Sequence, residues 1–157
     1  MELQSNEIER EYLGHPFIID KVTEPIIWDI CNRDEYAITP FDAHNAPRTI
    51  VDVGAHVGVF TLLCVRRFPH CQVIAIEPHP RNFELLQHNL RVAGLLDDPR
   101  LKLINGAIGP QAGTCSPKEG RIQLLGFDQP GGQIPVITAA QLLDVCEAFF
   151  GDRQVGL

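Results

Sequence analysis

The residues most able to do chemistry lie at three points about 25 residues apart: Asp52-Val53-Gly54-Ala55-His56-Val57-Gly58, Glu77-Pro78 and Asn105-Gly106-Ala107. Each follows a short apolar run, so each reads as the end of a β-strand. Gly54 allows a tight turn with no Cβ in the way. Gly58 allows the next helix to pack close and a ligand to approach, and free amides at that helix start would suit a polar or anionic group. Glu77 follows the glycine turn by about 20 residues, the spacing that sets a carboxylate to accept ribose hydroxyls. The Asn105 amide can both donate to and accept from a base edge. Taken singly, each is more often an ordinary turn or surface residue; on three successive strand ends they describe a nucleoside site.

The charge at the first turn selects among nucleosides. In the dinucleotide fingerprint G-x-G-x-x-G the first position is glycine, whereas here it is Asp52. A carboxylate there repels a pyrophosphate and attracts an ammonium or a sulfonium. S-adenosylmethionine carries both cations and no phosphate, so it is the expected cofactor, and a nicotinamide-dependent oxidoreductase is the weaker alternative.

The elements that must position these residues follow from the pattern between them. Thr49 to Val53 reads as a strand, Val59 to Phe68 as a helix stopped by Pro69, and Gln72 to Ile76 as a buried strand. Pro80 to Ala93 reads as a helix, with proline in its first turn and Gly94 at its C-terminal end. Phe83, Leu86, Leu90 and Ala93 share one of its faces. Leu101 to Ile104 is a third strand. This alternation implies an α/β, Rossmann-like parallel sheet with right-handed crossovers and helices on both faces. Thr138-x-x-Gln141 is a capping box opening a helix through Phe149.

Outside that core the reading is coarser. Residues 1–13 form a short helix or loose chain. Phe17–Ile19, Ile26–Trp28 and Tyr36–Ile38 read as short strands between prolines. Residues 109–135 are rich in Gly and Pro, with Arg121 to Leu125 as one strand. The chain divides into an N-terminal segment, 1–48, and a cofactor-binding domain, 49–157. The N-terminal strands and the stretch 109–135 are expected to cover the acceptor side of the site. Trp28 and Phe41 either pack in the core or line the acceptor pocket.

Composition bounds the rest. The net charge of −7, from 13 basic and 20 acidic residues, argues against a nucleic-acid partner. The adjacent basic pair, Arg66-Arg67, falls where a helix should end and complements its dipole. Five cysteines without C-x-x-C spacing read as buried thiols in a reducing cytoplasm rather than disulfides or a zinc site. His56, His79 and His88 lack metal spacing, and no nucleophile–base constellation is legible. No apolar run is long enough for a membrane span.

The stretch Thr49-Ile50-Val51-Asp52-Val53-Gly54-Ala55-His56-Val57-Gly58-Val59-Phe60-Thr61 resembles the first motif of the FkbM-type methyltransferases, with His56 where that family usually has Asn. Ala75-Ile76-Glu77-Pro78 with Asn82, Leu85 and Asn89 resembles the second motif, and Asn105-Gly106-Ala107-Ile108-Gly109 the third. The resemblance implies a class I, S-adenosylmethionine-dependent enzyme that methylates hydroxyls of sugars or polyketides. It also implies that Asp52, Gly54, Glu77 and Asn105 contact the cofactor; Ala55, His56, Gly58, Pro78, Gly106 and Ala107 complete the expected site. The catalytic base is not identifiable. Val155-Gly156-Leu157 resembles the start of a later family strand, so the C-terminal part of the family sheet is expected to be missing. An open edge on the strand at 49–53 would then invite self-association. A non-catalytic cofactor-binding or partner-binding module is the alternative reading.

Overall fold

The computed structural model describes residues 1–41, 45–117, 125–126 and 134–151. Its centre is a three-stranded parallel sheet in the order β3-β4-β5, formed by β3 (Thr49–Val53), β4 (Gln72–Glu77) and β5 (Leu101–Asn105). The register pairs Asp52 with Ala75 and Glu77 with Asn105, which brings the three chemistry-bearing strand ends to one edge of the molecule. β4 is the middle strand, and Val73, Ile74, Ala75 and Ile76 are all buried. That explains its unbroken apolar run, as expected for a parallel strand covered on both faces. Among the described residues β3 pairs only with β4.

Helices cover both faces. α2 (Val59–Arg67) and α3 (Pro80–Val92) pack on one face through Leu62, Val65, Leu85, Leu86 and Leu90. The helix α4 (Ala139–Phe150) covers the other, where Cys146 and its neighbours meet Ile74 and Ile76. The Thr138 capping box is fully formed: the Thr138 hydroxyl accepts from the Gln141 amide, and the Gln141 side chain accepts from the Thr138 amide. Gly94, at φ +73°, ends α3 as expected.

The N-terminal segment differs from the sequence reading in three places. Residues within 1–13 form a strand, β1 (Glu7–Tyr12), paired antiparallel with β2 (His15–Asp20). Ile26–Trp28 lies inside a helix, α1 (Glu24–Asn32), not a strand. The run of β-formers misleads there, because Pro25 sits in the first turn and Ile27 and Cys31, one helical turn apart, face the core. Tyr36–Ile38 is irregular: Asp34 and Ala37 both have positive φ, and the Asp34 carboxylate accepts the amides of Ile38 and Thr39.

The hairpin is anchored rather than loose. The Arg81 guanidinium grips the Glu7 carboxylate at 2.7 Å and holds it below the usual carboxylate range. Asn89, wholly buried on α3, accepts from the Ile18 amide at 2.9 Å. It also donates to the Ile18 carbonyl at 3.0 Å and the Val57 carbonyl at 2.9 Å. One side chain thus bonds the hairpin to the glycine turn.

After β5 the chain builds a second sheet, in the order β6-β9-β7-β8, from β6 (Ala107–Ile108), β7 (Gly113–Pro117), β8 (Leu125–Gly126) and β9 (Ile134–Ile137). β9 tolerates Pro135 although it has a neighbour on each side. The two-residue β6 meets only Val136 and Ile137, so the proline lies beyond that ladder. The expected strand at Arg121 to Leu125 falls largely outside the described residues, as does Val155-Gly156-Leu157. All five cysteines are free thiols, and four are buried.

Candidate functional site

The turn after β3 is built from backbone. The amides of Gly54 and Ala55 both donate to the Ile76 carbonyl, at 2.8 and 3.0 Å, and the Gly58 amide donates to the Ala55 carbonyl at 2.9 Å. The His56 amide donates to the Glu77 carboxylate at 2.8 Å. Sequence reasoning anticipated free amides at the start of α2, from Val59 on; the four amides before it, at Gly54, Ala55, His56 and Gly58, are taken by the protein itself.

The two glycines do different work. Gly54, at φ +83°, has open space where a Cβ would stand, so the backbone there lies bare to an incoming group. Gly58, at φ +89°, has Leu86 of α3 in that space: a Cβ would lie 2.5 Å from the leucine Cδ1. Its small size therefore serves the packing of α2 on α3. His56 also has positive φ, +52°, a conformation that Asn, Asp and His adopt more readily than other residues with side chains.

Two carboxylates stand behind the turn. Asp52 is only 9% exposed and accepts the Thr61 hydroxyl of α2 at 2.6 Å. Burial raises its pKa from 3.8 to about 6; the Thr61 bond opposes that rise and the charge of Glu77 adds to it. Glu77 is 4% exposed and accepts the amides of His56 and His79, both at 2.8 Å, with the Asn82 amide at 3.5 Å. Burial raises its pKa too, against the pull of those bonds.

Asn105, opposite Glu77 in the register, donates to the Glu77 carbonyl at 2.8 Å. Its side-chain oxygen is left for another donor. The groove between these ends is a cavity of about 170 Å³ lined by Val53, Gly54, Ile76, Pro78, Gly106, Ala107 and Ile108. Gly54, Pro78, Gly106 and Ala107 of the expected site line it directly, while Asp52 and Glu77 lie at the strand ends behind it. Ala55 is buried. The His56 ring is set back, with Nε2 buried and without a hydrogen-bond partner, and burial lowers its pKa. Ile76 and Ile108, which sequence reasoning did not assign to the site, supply apolar walls; their places at strand ends were the available signal.

The residues that line this groove suit a nucleoside with cationic groups. Its walls are apolar, its glycine-turn amides are engaged, and two buried carboxylates lie close behind. A pyrophosphate would meet carboxylates and find those four amides already bonded. Among the described residues no three His, Cys, Asp or Glu side chains come together as a metal site, and no helix is long and apolar enough to cross a membrane.

Residues 52–119 match the family described as the methyltransferase FkbM domain. The chain is 33% identical over 109 residues to methyltransferase sdnD of Sordaria araneosa, which covers 68% of this chain and 39% of that protein. It is 31% identical over 86 residues to methyltransferase 1 of Beauveria bassiana, covering 55% of this chain and 28% of that one. These matches therefore span less than half of either relative. Among solved structures, M. jannaschii TYW2 in complex with AdoMet aligns at 25% identity with a TM-score of 0.47, over 67% of this chain and 45% of that one.

Proposed function

We propose that this chain, whose residues 52–119 match the methyltransferase FkbM domain, binds S-adenosylmethionine in the groove at the carboxyl ends of β3, β4 and β5. In this reading it directs methyl transfer to a hydroxyl of a small acceptor of the sugar or polyketide kind. The observation that carries the reading is the pairing of engaged turn amides with two buried carboxylates, Asp52 and Glu77. That combination favours a cationic, phosphate-free nucleoside.

When bound, S-adenosylmethionine supplies a methyl group on a sulfonium centre. The chain's own residues hold and orient it. Gly54 lets the backbone come close. Ile76, Pro78, Ala107 and Ile108 keep water from the base. The free oxygen of Asn105 accepts from the exocyclic amine. A carboxylate has about four acceptor positions, and Glu77 uses three, one of them on the long bond from Asn82. A ribose diol takes the open position and replaces that bond. Asp52 supplies negative charge near the amino-acid end of the cofactor. Fixing the cofactor in a dry groove lets an acceptor oxygen approach in line, where proximity supplies much of the rate.

The test is transfer of a labelled methyl group from S-adenosylmethionine to a panel of hydroxylated sugars and polyketides. Label on the acceptor oxygen supports the reading, and label on nitrogen or carbon acceptors alone contradicts it. A second reading, a partner-binding module, draws on β3. Its outer edge has no strand among the described residues, and Val53 is 59% exposed. An exposed strand edge is a template for pairing, and sedimentation at increasing concentration would reveal self-association.

A further inference from the structure

A second concavity lies at the other end of α2. Leu13, His15, Leu63, Arg66 and Arg67 line an open groove of about 530 Å³. The nine residues of α2 rise about 13 Å from the glycine turn to this point, so the groove is remote from the cofactor site.

Its lining brings two arginines and a histidine together. Arg10, Arg33, Arg81 and Arg100 each pair with a carboxylate. Arg66 and Arg67 form no ion pair among the described residues, in a protein of net charge −7. Arg66 donates through Nη2 to the Ala93 carbonyl at 3.0 Å, and the same nitrogen lies 3.1 Å from His15 Nε2. Its Nε and Nη1 remain. Arg67 spends Nε and Nη2 on the carbonyls of Ile38, Thr39 and Phe41, which leaves Nη1. Asp34 lies in electrostatic reach of Arg67, and its carboxylate is committed to the amides of Ile38 and Thr39.

The apolar wall is held at a conformational cost. Leu13 and Gly14 are the two central residues of the β1–β2 hairpin, both at positive φ, +53° and +76°. Such a turn prefers Asn-Gly, and a leucine there is strained. The leucine is nevertheless 40% exposed and faces the groove. Strain of this sort collects at binding sites.

We propose that His15, Arg66 and Arg67, with Leu13 and Leu63, form a binding site for a small organic anion, a phosphate monoester or carboxylate bearing an apolar arm. The guanidinium donors and the imidazole take the head group, and the leucines take the arm.

The experiment is calorimetric titration with octyl phosphate, octanoate and inorganic phosphate, alongside amide NMR shifts. Octyl phosphate or octanoate should bind at least about tenfold more tightly than inorganic phosphate, the effect of burying a few methylenes. The shifts should centre on residues 13–15 and 63–67. Arg66→Gln should weaken binding by removing the head-group donor. Leu13→Asn should weaken it too, while the melting temperature holds or rises because the turn is relieved. Affinity for S-adenosylmethionine should be unchanged in both variants. No binding, equal binding of inorganic phosphate, or binding indifferent to both substitutions would overturn the proposal.

Discussion

The Glu77 carboxylate accepts the backbone amide of His56 at 2.8 Å, from the turn after the neighbouring strand, and that of His79, also at 2.8 Å, from its own. One side chain therefore ties the ends of β3 and β4 together at the edge of the groove. Glu77→Ala leaves both amides without that partner, at a cost of about 1–3 kcal/mol each if they stay buried. It should lower the melting temperature and weaken S-adenosylmethionine binding by at least about tenfold, since hydrogen bonds to a charged group contribute about 1.5–3 kcal/mol. Wild-type affinity in a folded Glu77→Ala protein would remove Glu77 from the site.

Asp52 makes both stability and cofactor affinity depend on pH. Its pKa is 3.8 in the free side chain and about 6 in the fold. The folded state therefore holds the proton more tightly than the unfolded state, and stability falls as pH rises from about 4 to about 6. Binding of a cation favours the ionised form, so affinity for S-adenosylmethionine should climb through the same range. Asp52→Asn should flatten both profiles. Urea melts and titrations across that range would check this, and an unchanged slope in the variant would assign the dependence to another group.

The two glycines of the turn should fail in different assays. Gly58→Ala forces a methyl group to 2.5 Å from Leu86 in a left-handed backbone, which should cost about 1–3 kcal/mol of stability. Gly54→Arg shares the left-handed backbone strain, at φ +83°, but meets no such clash, so beyond a strain cost of about 1–2 kcal/mol its larger effect should be on the cofactor, whose path the side chain fills. Denaturation and binding measured on both variants separate the roles. Loss of binding in Gly58→Ala without loss of stability would contradict the assignment.

Much of this was legible because the decisive signals are local. Val73 to Ile76 is a strand buried on both faces, and its apolar run says so. Pro80 and Gly94 bracket α3, and Thr138 with Gln141 opens α4 through short-range bonds. That Asp52, Glu77 and Asn105 lie on adjacent strand ends was legible because parallel strands bring their carboxyl ends together. What escaped depends on distant partners. Ile26–Trp28 has β-forming residues but takes its helix from packing through Ile27 and Cys31. β1 is polar and exists through pairing with β2 and the Arg81 contact. The engagement of the Gly54, Ala55 and His56 amides could not be read at all, because their acceptors, Ile76 and Glu77, lie about 20 residues on.

Asn89 is the clearest such long-range dependence. Its three bonds join α3 to Ile18 and Val57 in a fully buried setting. Asn89→Leu should cost about 2–4 kcal/mol by leaving buried backbone groups unpaired. Because Val57 belongs to the glycine turn, it should also weaken cofactor binding. A urea midpoint close to wild type would show that the hairpin is held by its apolar contacts instead.

The most direct test of the central claim is calorimetric titration of the chain with S-adenosylmethionine and, separately, with NAD. S-adenosylmethionine should bind at least about tenfold more tightly, a margin of about 1.4 kcal/mol or more, and Asp52→Asn should shrink it. Tighter binding of NAD would show that the groove accepts a pyrophosphate despite its carboxylates, and would contradict the assignment.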